Sequence, residues 1–314
     1  MSCTLVAKLL CEREIIMLFS KRTQGHLIAL MTVFLWGTTF IATKVLLTDF
    51  KPIEILFFRF GLGYLALWIL SPRFFAWQGV KREFMFLCAG LCGVTCYFLC
   101  ENIALTYTTA SNVGVITTLA PIFTAILSIF FLKTETPPKR FYVGCLFAII
   151  GVGLISFNGK FVLSLNPLGD LLTMLACLFW ACYSILTKKS SNYGYNTILL
   201  TRRFFFYGLM LMFPVLSFFD FDWNLSRFTD PVNIFNFLFL GVGASAICFA
   251  SWNYAVKLIG AVKISIYLYL VPILTIIAAV IILNEPFTWI AAIGTLFTLC
   301  GMLLSEGVVR VTKK

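Results

Sequence analysis

Few polar side chains interrupt the long apolar runs of this 314-residue chain, and each one that does is a candidate ligand. Asn102, Asn112 and Asn253 each offer two donors and a carbonyl acceptor, a set that suits a zwitterionic ligand. The competing reading is hydrogen bonding between helices, worth about 0.6 kcal/mol on average in membranes. Glu101 stands at the edge of an apolar run without a basic neighbour, so it could bind a cation or carry a coupling proton; the plainer expectation is a solvated loop carboxylate. Trp36, Tyr97, Trp180, Tyr183, Trp252 and Tyr267, with Tyr269 a weaker member, form an aromatic set whose ring faces attract ammonium or sulfonium centres. An interfacial aromatic belt is the alternative for them. Lys263 is placed to meet an anionic group. Arg59, Arg202 and Arg203 are the basic residues inside apolar runs, and their distance from the run ends predicts snorkelling with a structural duty.

The elements that must position these groups are membrane helices. With 61% hydrophobic and 12% charged residues and a mean hydropathy of +0.97, the chain cannot coat a water-exposed globule, which carries about 25% charged residues. Ten apolar spans are expected, near 27–47, 53–71, 84–100, 109–131, 141–157, 168–187, 198–219, 232–253, 262–283 and 287–307, each long enough to cross roughly 30 Å of hydrocarbon. Their uniform apolarity argues against barrel strands, which alternate. The net charge of +11 reads as orientation signal and attraction to anionic lipid rather than a nucleic-acid partner. Counted over the connections and span ends, only Lys44, Lys51, Lys160 and Arg227 fall on the side opposite the termini, so both termini are expected in the cytoplasm. Residues 1–26 read as a tail without a secretory cleavage pattern, and Met17 would serve equally as a start.

The chain also repeats itself. At an offset of 151, Asn102 falls on Asn253, Ala110 on Ala261, Leu119 on Leu270 and Pro121 on Pro272. At 144, Trp36 falls on Trp180 and Arg59 on Arg203; at 150, Gly144 and Gly151 fall on Gly294 and Gly301. The expected organisation is a tail (1–26), a five-helix repeat (27–157), a linker (158–167), a second five-helix repeat (168–308) and a basic tail (309–314). After five crossings the second copy enters the membrane inverted, an architecture that places a binding site near the midplane between the repeats. Pro121 and Pro272 then read as gate hinges, each removing one backbone hydrogen bond. Gly114 allows close backbone approach.

Two patterns are set aside. Cys88, Cys92, Cys96 and Cys100 recur every four residues but span about 18 Å of helix, too far to share one ion, so they read as packing residues. GVGLISFNGK at 151–160 has the wrong spacing for a phosphate loop. No metal, cofactor or catalytic residue is expected: the one histidine is His26, before the first span, and Asp220, Asp222 and Asp230 crowd one loop.

The two-times-five plan, WG near the first helix, LAPIF answered by VPIL, and the Glu-Pro at 285–286 resemble the EamA family of the drug/metabolite transporter superfamily. That resemblance implies a metabolite carrier with a central cavity and peripheral helices 5 and 10. The expected function is secondary or exchange transport of a small metabolite across the inner membrane, an amino acid or derivative, with S-adenosylmethionine and S-adenosylhomocysteine one candidate pair. Export of hydrophobic or cationic toxic compounds is the alternative, with a passive channel or intramembrane enzyme more remote. Expected partners are the solute and membrane lipid, and the expected state is monomer or homodimer.

Overall fold

A computed structural model describes residues 2–107, 113, 116–133, 137–157, 167–218, 221–274, 277 and 289–306, with side chains from Lys21 onward except at 40, 155–157, 225, 291 and 306. Asn112, Gly114, residues 158–166 of the linker and the basic tail at 309–314 lie outside the described residues.

The described residues form helices joined by short connections. α1 runs Ser2–Leu46, α2 Pro52–Leu70, α3 Val80–Tyr107, α4 Ala120–Leu132 and α5 Lys139–Phe157. α6 runs Pro167–Ser191, α7 Thr197–Leu216, α8 Pro231–Ile259, α9 Ala261–Leu274 and α10 Trp289–Glu306. Six of them are long and apolar enough to cross a membrane: α1 from Lys21, α2, α3, α6, α7 and α8. Side chains such as Met31, Phe34, Ile69, Phe130, Phe213, Phe235 and Leu303 face outward, as expected where hydrocarbon replaces water as solvent.

α1 is helical from Ser2, and the ends of the third and eighth helices differ from the sequence reading. Residues 2–24 hold no proline and no glycine, and many strong helix formers. The third helix starts at Val80 and continues to Tyr107, so Glu101 and Asn102 lie inside it. α8 likewise extends past Asn253 to Ile259, where Gly260 at φ +90° breaks the helix, a conformation that disfavours any side chain.

Local sequence fixes the ends. Pro52 opens α2 at a position with no helical N–H to lose, and Glu54 accepts from the Lys51 backbone N–H at 2.9 Å. Asn196 caps α7 by accepting from Ile198 N and Leu199 N. Proline cannot donate to the carbonyl four residues back, and both gate prolines follow irregular backbone. A turn at Thr118–Leu119 precedes Pro121, and a 3-10 turn at Ile266–Tyr269 precedes Pro272.

Helices from the two halves interleave. α3 packs on α6 and α7, while α8 packs on α1 and α2. Glycines permit the closest approaches: a Cβ on Gly90 of α3 would strike backbone of α7 at Phe204 and Gly208, and one on Gly241 of α8 would lie 3.1 Å from Arg59 O on α2. Gly90 and Gly241 correspond under the 151 offset. α5 and α10 pack antiparallel, with Gly144 against Gly301 and Gly151 against Gly294. Each repeat-matched glycine therefore meets the counterpart of the other one.

Candidate functional site

Two π-helical segments prepare the site. Leu91–Cys96 interrupts α3 and Phe239–Ile247 interrupts α8, at positions that overlap under the 151 offset. A π turn inserts a residue and rotates the helix that follows, and such turns concentrate at functional sites. Beyond the first segment, Tyr97, Phe98, Glu101, Asn102 and Leu105 fall on one stripe of α3 and line a cavity. Beyond the second, Phe249 of α8 joins the same wall. The Trp36 indole N–H donates to Ala244 O inside the α8 π segment at 3.0 Å, tying α1 to α8.

The remaining lining is contributed at helical spacing: Trp36, Thr39 and Thr43 from α1; Arg59 from α2; Cys177 and Trp180 from α6; Leu268 and Val271 from α9. Thr117 and Ala120 close the wall from the break before Pro121. There is room of about 80 Å³ for the centres of water molecules, enough for several waters or one small solute. The lining lies towards the ends of the bundle where α1 stops and α2 starts. At the other end Gly25 packs on Ile259, His26 Nδ1 lies 2.7 Å from Tyr267 Oη, and Lys188 Nζ donates to Lys257 O at 3.2 Å.

Two opposite charges line this cavity. Arg59 is 5% exposed and Glu101 6%. The Tyr97 hydroxyl donates to Glu101 Oε1 at 2.8 Å. Arg59 Nε donates to Ser245 Oγ at 2.7 Å, and the guanidinium lies 4.5 Å from the centroid of the Phe98 ring. Trp36 and Trp180, matched in the repeat, meet edge to face with centroids 5.4 Å apart.

The candidates separate by position. Trp36, Tyr97, Glu101, Asn102 and Trp180 line the cavity, and Pro121 adjoins lining residue Ala120 as Pro272 adjoins Val271. Asn102 also donates to Pro52 O at 3.3 Å. Tyr183, Trp252, Asn253, Lys263 and Tyr267 lie outside the lining. Tyr183 Oη donates to Asn253 Oδ1 at 2.7 Å, and Asn253 Nδ2 to Thr201 Oγ1 at 2.9 Å, which joins α6, α7 and α8. Trp252 supports the wall from behind, 4.9 Å from Trp36 by centroid. Tyr267 faces His26, and Lys263 is buried at the start of α9.

Two sequence expectations are corrected. Glu101 is buried in α3, not solvated in a loop, because the helix continues a further turn and a half. Arg59 does not snorkel: Leu56, Phe60, Gly63 and Leu67 are the buried face of α2, and Arg59 shares it. The signal was present, since a lone arginine on the inward face of an apolar helix is costly and functional by default. Arg203, its repeat partner, has a different duty. It pairs with Glu83 at 3.7 Å and donates to Phe75 O and to Ala76 O. Arg202 lies 3.8 Å over Trp68 and donates to Ser71 O at 2.6 Å and to Arg73 O. Both arginines anchor the α2–α3 connection, as the structural reading expected.

Comparison with known proteins places this geometry. The profile of the EamA-like transporter family matches residues 23–157 and again 167–306. An uncharacterized transporter of Archaeoglobus fulgidus is 30% identical over 301 residues, covering 90% of this chain and 97% of its own. The uncharacterized transporter YyaM of Bacillus subtilis is 28% identical over 285 residues, with 88% and 92% covered. One solved crystal structure superposes with a TM-score of 0.73 over 90% of this chain and 96% of its own, at 17% identity, which speaks to the fold alone.

Proposed function

We propose, starting from the fact that this chain belongs to the EamA-like transporter family, that it carries a small metabolite across the inner membrane by alternating access. The family and the named relatives are transporters rather than enzymes, and the apolar helices make the protein multi-pass. In this reading ten helices form two inverted repeats, with both termini in the cytoplasm. The antiparallel glycine contact between α5 and α10 and the exchanged packing of α3 and α8 support the inversion. The packed end bearing His26 and Tyr267 is one closed gate, and the breaks before Pro121 and Pro272 are the hinges.

The observation that carries the reading is the small cavity between the halves, lined by the repeat-matched tryptophans and by two buried charges. It favours an amino acid or a derivative. The much larger S-adenosylmethionine requires the cavity to widen. Export of lipophilic cations finds support in Glu101 within an aromatic wall; Arg59 in the same wall opposes it, because a cation that pairs with Glu101 leaves the buried guanidinium without a counter-charge. Exchange or facilitated movement fits the scarcity of acids. If a proton is coupled, Glu101 is its site, facing Arg59 of α2, Tyr97 of its own helix and Cys177 of α6.

The test is uptake by purified protein in liposomes loaded with unlabelled amino acids. Saturable uptake, accelerated by internal cargo and abolished in Thr39→Trp, which fills the cavity from a half-buried position, supports this reading. Thr39→Trp protein that melts like the parent and transports at its rate would sink it.

A further inference from the structure

We propose that the cavity is a zwitterion cradle, in which Arg59 takes the carboxylate of the cargo and Glu101 its ammonium group. This rests on the transport reading above and names the two residues that set its substrate class.

Both charges are more than nine-tenths buried, and both line one cavity. Among the described residues they form no ion pair with each other or with any other side chain. A buried charge is costly unless it is paired and hydrogen-bonded. Two opposite ones that line one cavity without pairing are satisfied together by a solute carrying both complementary charges.

The donor inventory agrees. Arg59 uses Nε on Ser245, and Phe98 covers one face of the guanidinium. Its two Nη groups make no hydrogen bond among the described residues, which leaves the planar fork that matches a carboxylate bidentately. Glu101 receives Tyr97 on one oxygen. Its other oxygen has no donor among the described residues and remains for an N–H of an ammonium group. Trp36 and Trp180 complete the site as an aromatic wall for the α-carbon and side chain, and their ring faces add cation–π attraction to the ammonium. With Glu101 ionised, the site is neutral when empty and neutral when loaded with a zwitterion. A simple carboxylate leaves Glu101 unmatched and a simple amine leaves Arg59 unmatched. Sites built to pair polar groups reject analogues lacking one of them strongly, so each truncated analogue should bind at least ~100-fold more weakly.

The experiment reads thermal stabilisation of the purified full chain by L-phenylalanine, phenethylamine and 3-phenylpropionate, and by L-alanine, ethylamine and propionate. In the parent protein at least one amino acid stabilises at concentrations about 100-fold below its two analogues. Glu101→Gln shifts preference towards the carboxylate-only analogue, and Arg59→Gln towards the amine-only one. Equal loss for all three compounds in either variant would assign the residue a structural duty and overturn the cradle. So would a parent protein that binds the amine as well as the amino acid. The parent series needs no variant, so a misfolded variant leaves the claim open to refutation. Saturable uptake of some other solute, without amino-acid binding, would refute the cradle and leave the transport reading standing. Absence of saturable uptake for every class would refute the transport reading itself.

Discussion

Arg59 and Asn253 show how burial divides polar residues that look alike in an apolar sequence. Arg59 lines a cavity, whereas Asn253 meets protein on both sides of its amide, at Tyr183 and Thr201. Asn253→Ala removes both hydrogen bonds and leaves a buried Tyr183 hydroxyl without its acceptor. The expected cost is about 1–2 kcal/mol, with cargo affinity unchanged because the side chain lies outside the lining. A melting curve in detergent and a binding isotherm on the same preparation check the two halves of that statement. The residue types were legible in the sequence, and so was the pairing of Trp36 with Trp180. Their facing was not. Whether an asparagine meets a ligand or a neighbouring helix depends on rotations set by the π segments, which leave no pattern in residue type. For Arg59 the inward face of α2 could have been read from Leu56, Phe60, Gly63 and Leu67; distance to the helix end was the wrong criterion.

At the scale of elements, the interfaces are written in glycine. Gly144 and Gly151 of α5 and Gly301 of α10 sit where a Cβ would collide with the facing backbone, while Gly153 has nothing within 4 Å of that position. Gly151→Ala would place a methyl 2.5 Å from Gly294 O and force α5 from α10, at an expected cost of about 1–3 kcal/mol. Gly153→Ala, two residues away, should stabilise by about 0.5–1 kcal/mol through helix propensity alone. Comparison of the two melting temperatures tests the interface without touching the cavity. The repeat in the sequence named Gly144, Gly151, Gly294 and Gly301 as matched pairs before any contact was known. It did not reveal the extra length of α3, because Glu101 and Asn102 interrupt the apolar run that marked its end, and a buried polar stripe looks like a loop when only hydropathy is read.

Across the whole molecule, the helices of one half are held by those of the other, and the cavity lies where they meet. Its lining leans towards one end of the bundle, and the opposite end is packed through His26, Tyr267, Gly25 and Ile259. This is the arrangement expected of one state of a carrier whose other state reverses the two ends. The measurement that tests it most directly is chemical access to Thr39→Cys, with the parent chain and its native cysteines as control. A membrane-impermeant thiol reagent is applied to each face of oriented vesicles, with and without cargo. The account predicts that Thr39→Cys reacts from both faces during turnover, that reaction stops transport, and that saturating cargo protects it. Reaction from one face alone under every condition, while cargo continues to cross, would contradict alternating access through this cavity.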